Sequence, residues 1–283
     1  LTYAQNYEFA RNAIDLALGR GGDQAVMKMP ENVIYYGGKS QQIEKSTRVK
    51  ARVKAHALKE IISIKDEIYV MGHRMGDTDS FGASVGIYRI AKTLGKQAHI
   101  VLNDVTASMQ PMVDMFRDNI EYEDSMIISG TQALEMIGNN AVLVVVDVNK
   151  PSITECPDLL KHCNSIVVFD HHRQGSEVIE NATLSYIEAY ASSTCEMVSE
   201  ILQYTSDTLR IKSEEADCLY AGIMIDTDNF MAKAGVRTFE AVAFLRRNGA
   251  DVTRVRKLFR DDAIEYKTKA DAVSQAEIYR QSY

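Results

Sequence analysis

Residues 165–172, SIVVFDHH, form an apolar, mostly β-branched run that ends abruptly in an acid and two histidines. The run AVLVVVDVN at 141–149 carries Asp147 near its end, and EIYVMGH at 67–73 ends at His73. Continuous apolar strands are typical of a sheet that is covered on both faces, and helical patterns separate these strands. The sequence therefore predicts an α/β fold with a mostly parallel sheet flanked by helices.

The segments before this fold predict a small α/β remnant and a connector helix. Residues 3–18 have helical spacing, and two short strands follow, which together are too little for an independent core. Residues 42–64 form a basic helix whose apolar stripe is Val49, Val53, Ala57, Ile61 and Ile62. A nucleic-acid-binding face and a solvated connector are both compatible with it, and the connector is favoured. Further helices are predicted near 193–204, 213–225, 238–248 and 251–259.

The net charge limits the classes of partner. The chain has 283 residues and a formal net charge of −7, which argues against binding a long nucleic acid, because such binding neutralises many phosphates. A phosphate-bearing substrate would then need local cations. The four cysteines form no CxxC pair, which favours reduced thiols in a cytoplasmic compartment over a zinc knuckle or a disulfide framework.

Acids and histidines accumulate where the apolar strands end. In an open parallel sheet, ligands bind outside the carboxyl ends of the strands. Any one of these acids alone is more often a turn former or a helix cap. Together they would repel one another, and a pair of divalent cations would remove that cost. The candidates are His73, Asp77, Asp79, Asp147, Asp170, His171, His172 and Asp226.

The donor types indicate which metals fit. Carboxylates and imidazoles without a thiolate suit two Mn²⁺ ions, with Mg²⁺, Fe²⁺ or Co²⁺ as alternatives, better than a structural Zn²⁺. A pair of such ions is typical of phosphoryl-transfer centres.

The order HRMGDTD, VVVDVN, VVFDHH, MIDTD resembles the DHH phosphoesterase family over about residues 66–262. That family is similar to manganese inorganic pyrophosphatases and to the exonuclease RecJ. The resemblance implies that His73 and Asp77 hold one metal, that Asp79 and Asp226 hold the other, and that Asp147 bridges them. It further implies that His171 is a metal ligand, that His172 contacts the phosphate, and that Asp170 orients an imidazole as a second catalytic residue.

Two further sets of residues are candidates for substrate contact. In the segment SSTCEM, Ser192, Ser193 and Thr194 fit either a plain helix cap or a helix start whose amides face an anion, and the two are weighted equally. Arg173, next to the DHH triplet, is predicted to hold phosphate. Arg74 and Arg237 are weaker candidates that fit surface positions better.

The segment at residues 17–62, which runs from ALGRGGDQ to HALKEII, resembles the end of the degenerate GGDEF domain and the following helix of GdpP/YybT-type cyclic-di-AMP phosphodiesterases. This implies hydrolysis of cyclic-di-AMP to linear 5′-pApA in the cytoplasm, by a protein that a preceding region anchors in the membrane, with a homodimer as a candidate assembly. No GGGH-like run of the family's DHHA1 domain occurs, so weak or no activity on cyclic-di-AMP is expected of this chain. The implied division is the end of a degenerate GGDEF domain at 1–38, a connector helix at 39–65, a DHH domain at 66–262 and the start of a linker helix at 263–283.

Two other functions stay open on the sequence. The first is a nanoRNase, pAp phosphatase or exonuclease of the same family, acting through the same centre on short oligonucleotides. The second is a non-catalytic nucleotide sensor, which binds the ligand and signals through the connector. The complete set of metal-ligand candidates argues against the sensor.

Overall fold

The computed structural model describes residues 2–18, 24–30, 32–37, 40–117, 119–260 and 263–276. Its strands are β1 (Gln24–Lys28), β2 (Val33–Gly37), β3 (Glu67–Met71), β4 (Gln97–Val101), β5 (Ile127–Ile128), β6 (Ala141–Val146), β7 (Ile166–Asp170) and β8 (Leu184–Ile187). Its helices are α1 (Tyr3–Leu18), α2 (Ser40–Ser63), α3 (Thr78–Thr93), α4 (Gln110–Val113), α5 (Gly130–Met136), α6 (Leu159–His162), α7 (Thr194–Thr205), α8 (Ser213–Asp226), α9 (Val236–Arg247), α10 (Val252–Leu258) and α11 (Ala263–Gln275).

The main sheet has six strands in the order β5-β4-β3-β6-β7-β8, and every neighbouring pair is parallel. The predicted α/β class with a parallel sheet is therefore confirmed. Ahead of it, β1 and β2 form an antiparallel two-stranded sheet, as the predicted small α/β segment requires. The predicted domain boundaries after Gly38 and Asp262 lie outside the described residues, and the domain division stays a prediction.

Both faces of the sheet are covered, which explains why its strands are continuously apolar. Along β6, the side chains of Val142, Val144 and Val146 pack into the core on one face. The alternating residues of the same strand, among them Leu143 and Val145, pack into a second core on the other face. Each fully buried side chain of this size contributes roughly 1.5–3 kcal/mol to folding. The sheet is thus a rigid platform for the residues at its edge.

The apolar stripe predicted on the connector helix is partly wrong. Val49 and Val53 are 63% and 59% exposed, whereas Ala51, Ala55 and Leu58 are buried. Small residues face the core here because α2 packs closely on α7. The exposed valines therefore do not anchor this helix. None of the helices in the described part of the chain is long and apolar enough to span a bilayer.

The strand order reverses between β3 and β6. From β3 the chain proceeds through β4 to β5 on one side, and from β6 through β7 to β8 on the other. Such a topological switch point leaves a crevice at the carboxyl ends of the two central strands, where ligands of open α/β sheets bind. Met71 pairs with Val145, so His73 and Asp147, each two residues further on, reach the same edge of the sheet.

Candidate metal centre

Three groups of histidines and aspartates lie at the carboxyl edge of β3, β6 and β7, and they share members. Within each group, one ligand atom from every residue lies within 4.8 Å of the others. Asp147 belongs to two groups, and so does His171. The structure therefore brings together seven of the eight residues that the sequence pointed to, and the eighth, Asp170, contacts His172 beside them. The groups are His73–Asp77–Asp147, Asp79–His171–Asp226 and Asp147–His171–His172.

His73 and Asp77 flank the loop between β3 and α3. The Nδ1 atom of His73 lies 3.1 Å from the Arg74 carbonyl oxygen, which can only accept, so Nδ1 carries the proton and Nε2 is free as a ligand atom. Nε2 lies 3.8 Å from Asp77 Oδ2 and 3.6 Å from Asp147 Oδ2. Asp77 caps α3, since its Oδ1 accepts from the amides of Asp79 and Ser80. The cap fixes the carboxylate while Oδ2 stays available.

Asp79 lies in the first turn of α3 and is fully buried. Its Oδ2 accepts from the amide of Thr194 at 2.6 Å, and its Oδ1 accepts from the amide of Cys195 at 2.9 Å. These amides begin α7, where the helix dipole favours an anion. Two long-range hydrogen bonds thus hold the Asp79 carboxylate against α7.

Asp147 follows β6 in the left-handed region, with φ of 61°. A non-glycine residue there is strained by about 1–3 kcal/mol, and such strain is held where the surroundings fix it. Here the amide of Asp147 donates to the Phe169 carbonyl at 2.8 Å, and the Thr194 hydroxyl donates to Asp147 Oδ1 at 3.0 Å. The turn directs a buried carboxylate between the groups of His73 and His171.

His171 supplies a buried nitrogen aimed into the acids. Its Nε2 lies 3.3 Å from Asp226 Oδ2, 3.4 Å from Asp147 Oδ1 and 3.8 Å from Asp79 Oδ2. Even so, this Nε2 has no hydrogen-bond partner among the described residues. A buried imidazole nitrogen surrounded by carboxylates but unpaired is the arrangement that a cation would complete.

Asp226 is the last residue of α8, one residue beyond the helix end that the sequence predicted. A carboxylate at the carboxyl end of a helix faces the negative end of the dipole, which is unfavourable without a cation. Burial raises the pKa of Asp226 to about 6, and the carboxylates of Asp147 and Asp77 add to that shift.

The pKa shifts of the neighbouring acids and histidines also indicate an excess of buried negative charge. Burial raises the pKa of Asp79 well above its usual range, with Asp147 and Asp226 adding to the effect. The carboxylates of Asp147 and Asp77 raise the pKa of the His73 imidazole to about 11. Burial opposes ionisation of Asp147, but His171 and His73 outweigh it and lower the pKa of that carboxyl. Carboxylates and imidazoles without a thiolate, packed this closely, fit divalent cations such as Mn²⁺ or Mg²⁺.

The DHH triplet itself divides into a buried part and an exposed part. Asp170 is fully buried at the end of β7, and its Oδ1 accepts from the amide and from Nδ1 of His172 at 3.0 and 2.8 Å. Since a carboxylate only accepts, Nδ1 of His172 carries the proton and Nε2 is unprotonated when the ring is neutral. The His172 side chain is 58% exposed, beside the buried ligand set.

The predicted substrate contacts of Ser193 and Thr194 do not fit their positions. Ser192, Ser193 and Thr194 are buried, and the Ser193 hydroxyl caps α7 by accepting from the Glu196 amide. The amides at the helix start face an anion, but that anion is the carboxylate of the protein's own Asp79. Thr194 instead forms hydrogen bonds with two of the predicted metal ligands. Its amide donates to Asp79, and its hydroxyl donates to Asp147.

The three arginine candidates differ in their exposure to solvent. Arg173 and Arg74 are exposed near the site. Arg237 is not the surface residue that was predicted, because its guanidinium lies inside the protein and donates to Glu200 at 2.5 and 2.7 Å. It also lies 3.2 Å from Glu196 and donates from Nη2 to the Tyr186 hydroxyl, so its Nε and Nη2 atoms are paired inside the protein.

One polar residue of the site, Asn149, was not predicted from the sequence. Asn149 follows β6 and donates from Nδ2 to Asp170 Oδ2 at 2.5 Å. Its position two residues after Asp147, in the polar end of the apolar run, was the available signal.

Comparisons with known proteins identify the family of this chain. The model of the DHH family, N-terminal domain, matches residues 67–223. The chain is 40% identical over 278 residues to the cyclic-di-AMP phosphodiesterase GdpP of Bacillus subtilis, covering 96% of this chain and 42% of that protein. It is 41% identical over 276 residues to the cyclic-di-AMP phosphodiesterase PdeA of Listeria monocytogenes, with 96% and 42% covered. The chain thus spans less than half the length of these relatives.

A more distant relative and a solved structure share the fold. The bifunctional oligoribonuclease and PAP phosphatase NrnA of Thermus thermophilus is 27% identical over 184 residues, which is 64% of this chain and 48% of that protein. The crystal structure of an exopolyphosphatase-related protein from Bacteroides fragilis superposes with a TM-score of 0.68 at 18% identity, covering 81% of this chain and 66% of that chain. At that identity the superposition shows the fold alone. Because the family model matches more than half of its residues, this chain belongs to the DHH family.

Proposed function

We propose that the whole protein is a metal-dependent phosphodiesterase that hydrolyses cyclic-di-AMP to linear 5′-pApA, and that these 283 residues, which contain no GGGH-like run, do so weakly or not at all. The observation that carries the proposal is the set of overlapping histidine and aspartate groups, joined through Asp147 and His171, at the switch point of the sheet. The two relatives with 40% and 41% identity, both named cyclic-di-AMP phosphodiesterases, support the substrate class. Two Mn²⁺ ions are the proposed cofactor, with Mg²⁺, Fe²⁺ or Co²⁺ as alternatives.

The proposed roles follow the geometry of the groups. His73 and Asp77 would hold one ion, Asp79 and Asp226 the other with His171, and Asp147 would contact both. Two divalent cations supply Lewis-acid polarisation of a phosphate and activation of water at neutral pH. Thr194 and Cys195 keep the Asp79 carboxylate in place through their amides. The bound cations would neutralise the acidic cluster and attract the anionic substrate.

His172 is the proposed phosphate contact. Asp170 holds the proton of its ring on Nδ1, and the exposed ring presents its other edge toward a ligand. Protonated His172 would donate from Nε2 to a phosphate oxygen and stabilise the charge that builds there during hydrolysis. Arg173, exposed next to it, is proposed as a second cationic contact.

Hydrolysis assays test the proposed function directly. The protein, loaded with Mn²⁺, is incubated with cyclic-di-AMP, pApA, pAp, pyrophosphate and bis-p-nitrophenyl phosphate, and the products are separated by chromatography. Conversion of cyclic-di-AMP to pApA supports the proposal. Preference for pAp or for pApA would favour the oligoribonuclease and phosphatase alternative that the similarity to NrnA suggests. Binding of cyclic-di-AMP with no turnover of any phosphodiester would favour the nucleotide sensor.

Replacing His172 with Ala is expected to leave two Mn²⁺ per chain and to lower turnover by about 10²–10³-fold, as for loss of one charge-stabilising donor. The reason is that His172 is exposed at the rim, whereas Asp79, Asp147 and His171 are buried and would hold the ions without it. Metal analysis measures the expected two Mn²⁺ per chain, and steady-state kinetics measure the expected loss of turnover. The matched control is His162→Ala, an exposed histidine on α6 that bonds only its own turn. Loss of the metals from the His172→Ala protein would contradict the assignment.

Adding Mn²⁺ to the metal-free protein is expected to raise its melting temperature. At about 100 times the dissociation constant, a ligand that binds only the folded state adds about 2.7 kcal/mol per site. For a chain of this size that corresponds to an increase of about 5–10 °C for each occupied site. The physical cause is relief of repulsion among Asp79, Asp147 and Asp226. Calorimetry with and without chelator measures it, and an unchanged melting temperature would argue that the cluster binds no metal.

We also propose the wider setting that the sequence resemblance implies. The first 38 residues would be the end of a degenerate GGDEF domain, joined by the connector helix to the DHH domain, with residues 263–283 beginning the linker that follows. The whole protein would act in the cytoplasm from a membrane anchor, as a homodimer. Sedimentation of the purified chain and fractionation of cells that produce the whole protein test these two points.

A further inference from the structure

The side chain of Asn149 lies behind the DHH triplet. Only 4% of Asn149 is exposed, and Asp170, which it contacts, is fully buried. Its Nδ2 donates to Asp170 Oδ2 at 2.5 Å and to the His172 carbonyl oxygen at 3.4 Å. The amide must present its nitrogen here, because an amide oxygen would face a carboxylate oxygen. One side chain therefore touches both Asp170 and the backbone of His172.

The contact with Asn149 completes the hydrogen bonding of the Asp170 carboxylate. Oδ1 accepts the amide and Nδ1 of His172, and Oδ2 accepts Nδ2 of Asn149. With both oxygens committed, the plane of the carboxylate is fixed. Among the described residues, the hydrogen bonds of His172 run only to Asp170 and Asn149. The orientation of an otherwise exposed imidazole thus depends on how firmly Asp170 is held.

The oxygen atom of the Asn149 amide also indicates that this side chain serves as a donor to Asp170. Its Oδ1 atom is buried and has no hydrogen-bond partner in the part of the chain that the structure describes. If the amide served only for packing, hydrogen bonds to both its nitrogen and its oxygen would be more stable. A buried oxygen without a hydrogen-bond partner costs about 1–3 kcal/mol. The backbone of Asn149 is held separately, since its carbonyl accepts the Ile179 amide at 3.1 Å. The side chain therefore serves the donor bond to Asp170.

We infer that Asn149 is a positioning residue for the reaction, acting on His172 through Asp170. It fixes Asp170 so that the carboxylate keeps the proton of His172 on Nδ1 and the Nε2 edge of the ring outward. The inference rests on the proposed function, in which His172 contacts the substrate phosphate. Without the Nδ2 donor, Asp170 would rotate to satisfy its free oxygen, and His172 would lose its fixed orientation.

The first test compares Asn149→Asp and Asn149→Ala with the wild-type protein loaded with Mn²⁺, with cyclic-di-AMP and bis-p-nitrophenyl phosphate as substrates. Asn149→Asp has the same shape but replaces the donor with an acceptor that repels Asp170. We expect it to lower kcat by about 10–100-fold, at least as much as Asn149→Ala, with a nearly unchanged KM and two bound Mn²⁺. A packing role predicts the reverse, with Asn149→Asp tolerated better than Asn149→Ala. The matched control is Asn140→Ala, whose Nδ2 also donates to a carboxylate, Asp66, but at the opposite end of β6.

A double-variant cycle separates this inference from the proposed function. If Asn149 acts through His172, adding Asn149→Ala to His172→Ala lowers kcat no further, whereas independent effects would multiply and overturn the inference. A His172→Ala protein with the wild-type rate would refute the role of His172 in the proposed function.

A second readout needs no turnover. Nitrogen-15 spectra of the six histidines, recorded with Mg²⁺ at a pH where the rings are neutral, report the tautomer of each ring, and neutral His172 is expected as the Nδ1–H form in the wild type. In Asn149→Asp, we expect the spectrum of His172 to show mixed tautomers while that of the control is unchanged. An unchanged His172 tautomer in Asn149→Asp would overturn the inference, even if the wild-type protein proved inactive.

Discussion

Replacing Asp147 with Asn is expected to reduce bound Mn²⁺ from two per chain to one or none, and to lower turnover by roughly 10³-fold or more. The reason is that Asp147 belongs to the group of His73 and to the group of His171. Its Oδ2 lies 3.6 Å from His73 Nε2, and its Oδ1 lies 3.4 Å from His171 Nε2. Loss of this one charge therefore weakens both halves of the centre.

The Asn substitution is chosen because it should spare the fold. Asn tolerates the left-handed backbone conformation of position 147 better than most residues, and its oxygen can still accept from the Thr194 hydroxyl. Metal analysis, hydrolysis of bis-p-nitrophenyl phosphate and the melting temperature of the chelated protein are measured together. Asp207→Asn, an exposed acid far along the chain, is the control. Two Mn²⁺ per chain in the Asp147→Asn protein would show that this carboxylate does not join the two groups.

Much of this centre could be predicted because parallel strands bring their carboxyl ends to one edge. The apolar runs predict β3, β6 and β7. The polar residues that follow these runs therefore lie at the switch point of the sheet. His73 and Asp147 illustrate this, since the register of β3 on β6 brings them together. The pattern that predicts the strands is thus also the pattern that predicts the ligands.

The parts that the sequence did not predict depend on contacts between distant segments. The amide of Thr194 binds a carboxylate 115 residues earlier, and nothing in the SSTCEM segment indicates that partner. Arg237 was expected on the surface because arginines usually are, but Glu200 lies within hydrogen-bonding distance and pairs it inside the protein. Val49 and Val53 were assigned to the wrong face of α2 because the buried face uses alanines, which carry little hydrophobic signal.

Short elements were missed for a different reason. β5 has two residues and β8 has four, and so few residues give no clear periodicity. These strands lie at the two edges of the sheet, where pairing with β4 and with β7 determines them. Tertiary pairing therefore outweighs local sequence at the edges, while the central strands are specified by their own composition.

Replacing Gly222 with Ala is expected to weaken Mn²⁺ binding by about 10–100-fold and to destabilise the protein by about 1–3 kcal/mol, as for overpacking of a core. A Cβ at this position would lie 2.4 Å from Cys195 Sγ and 3.0 Å from both Cα and Oδ1 of Asp79. Cys195 is fully buried and the Asp79 backbone is part of α3, so neither can withdraw freely. Helix α8 would have to move away from α3.

That movement acts on the metal centre because Asp226 lies one turn further along the same face of α8. Its Oδ2 is 3.3 Å from His171 Nε2, a spacing that depends on how closely α8 approaches the sheet. The methyl group would thus displace Asp226 and press on Asp79 at once. Calorimetry of the metal-free protein and titration with Mn²⁺ separate the loss of stability from the loss of affinity.

Two further variants make the Gly222→Ala result specific. Gly138→Ala adds the same methyl group where the nearest atom is 3.6 Å away, and is expected to change neither quantity. Adding Cys195→Ala to Gly222→Ala removes the sulfur that the new methyl group would meet, so we expect part of the stability and part of the affinity to return. If Gly222→Ala alone bound Mn²⁺ with wild-type affinity, the close approach of α8 to α3 would not be what sets the distance between Asp226 and its partners.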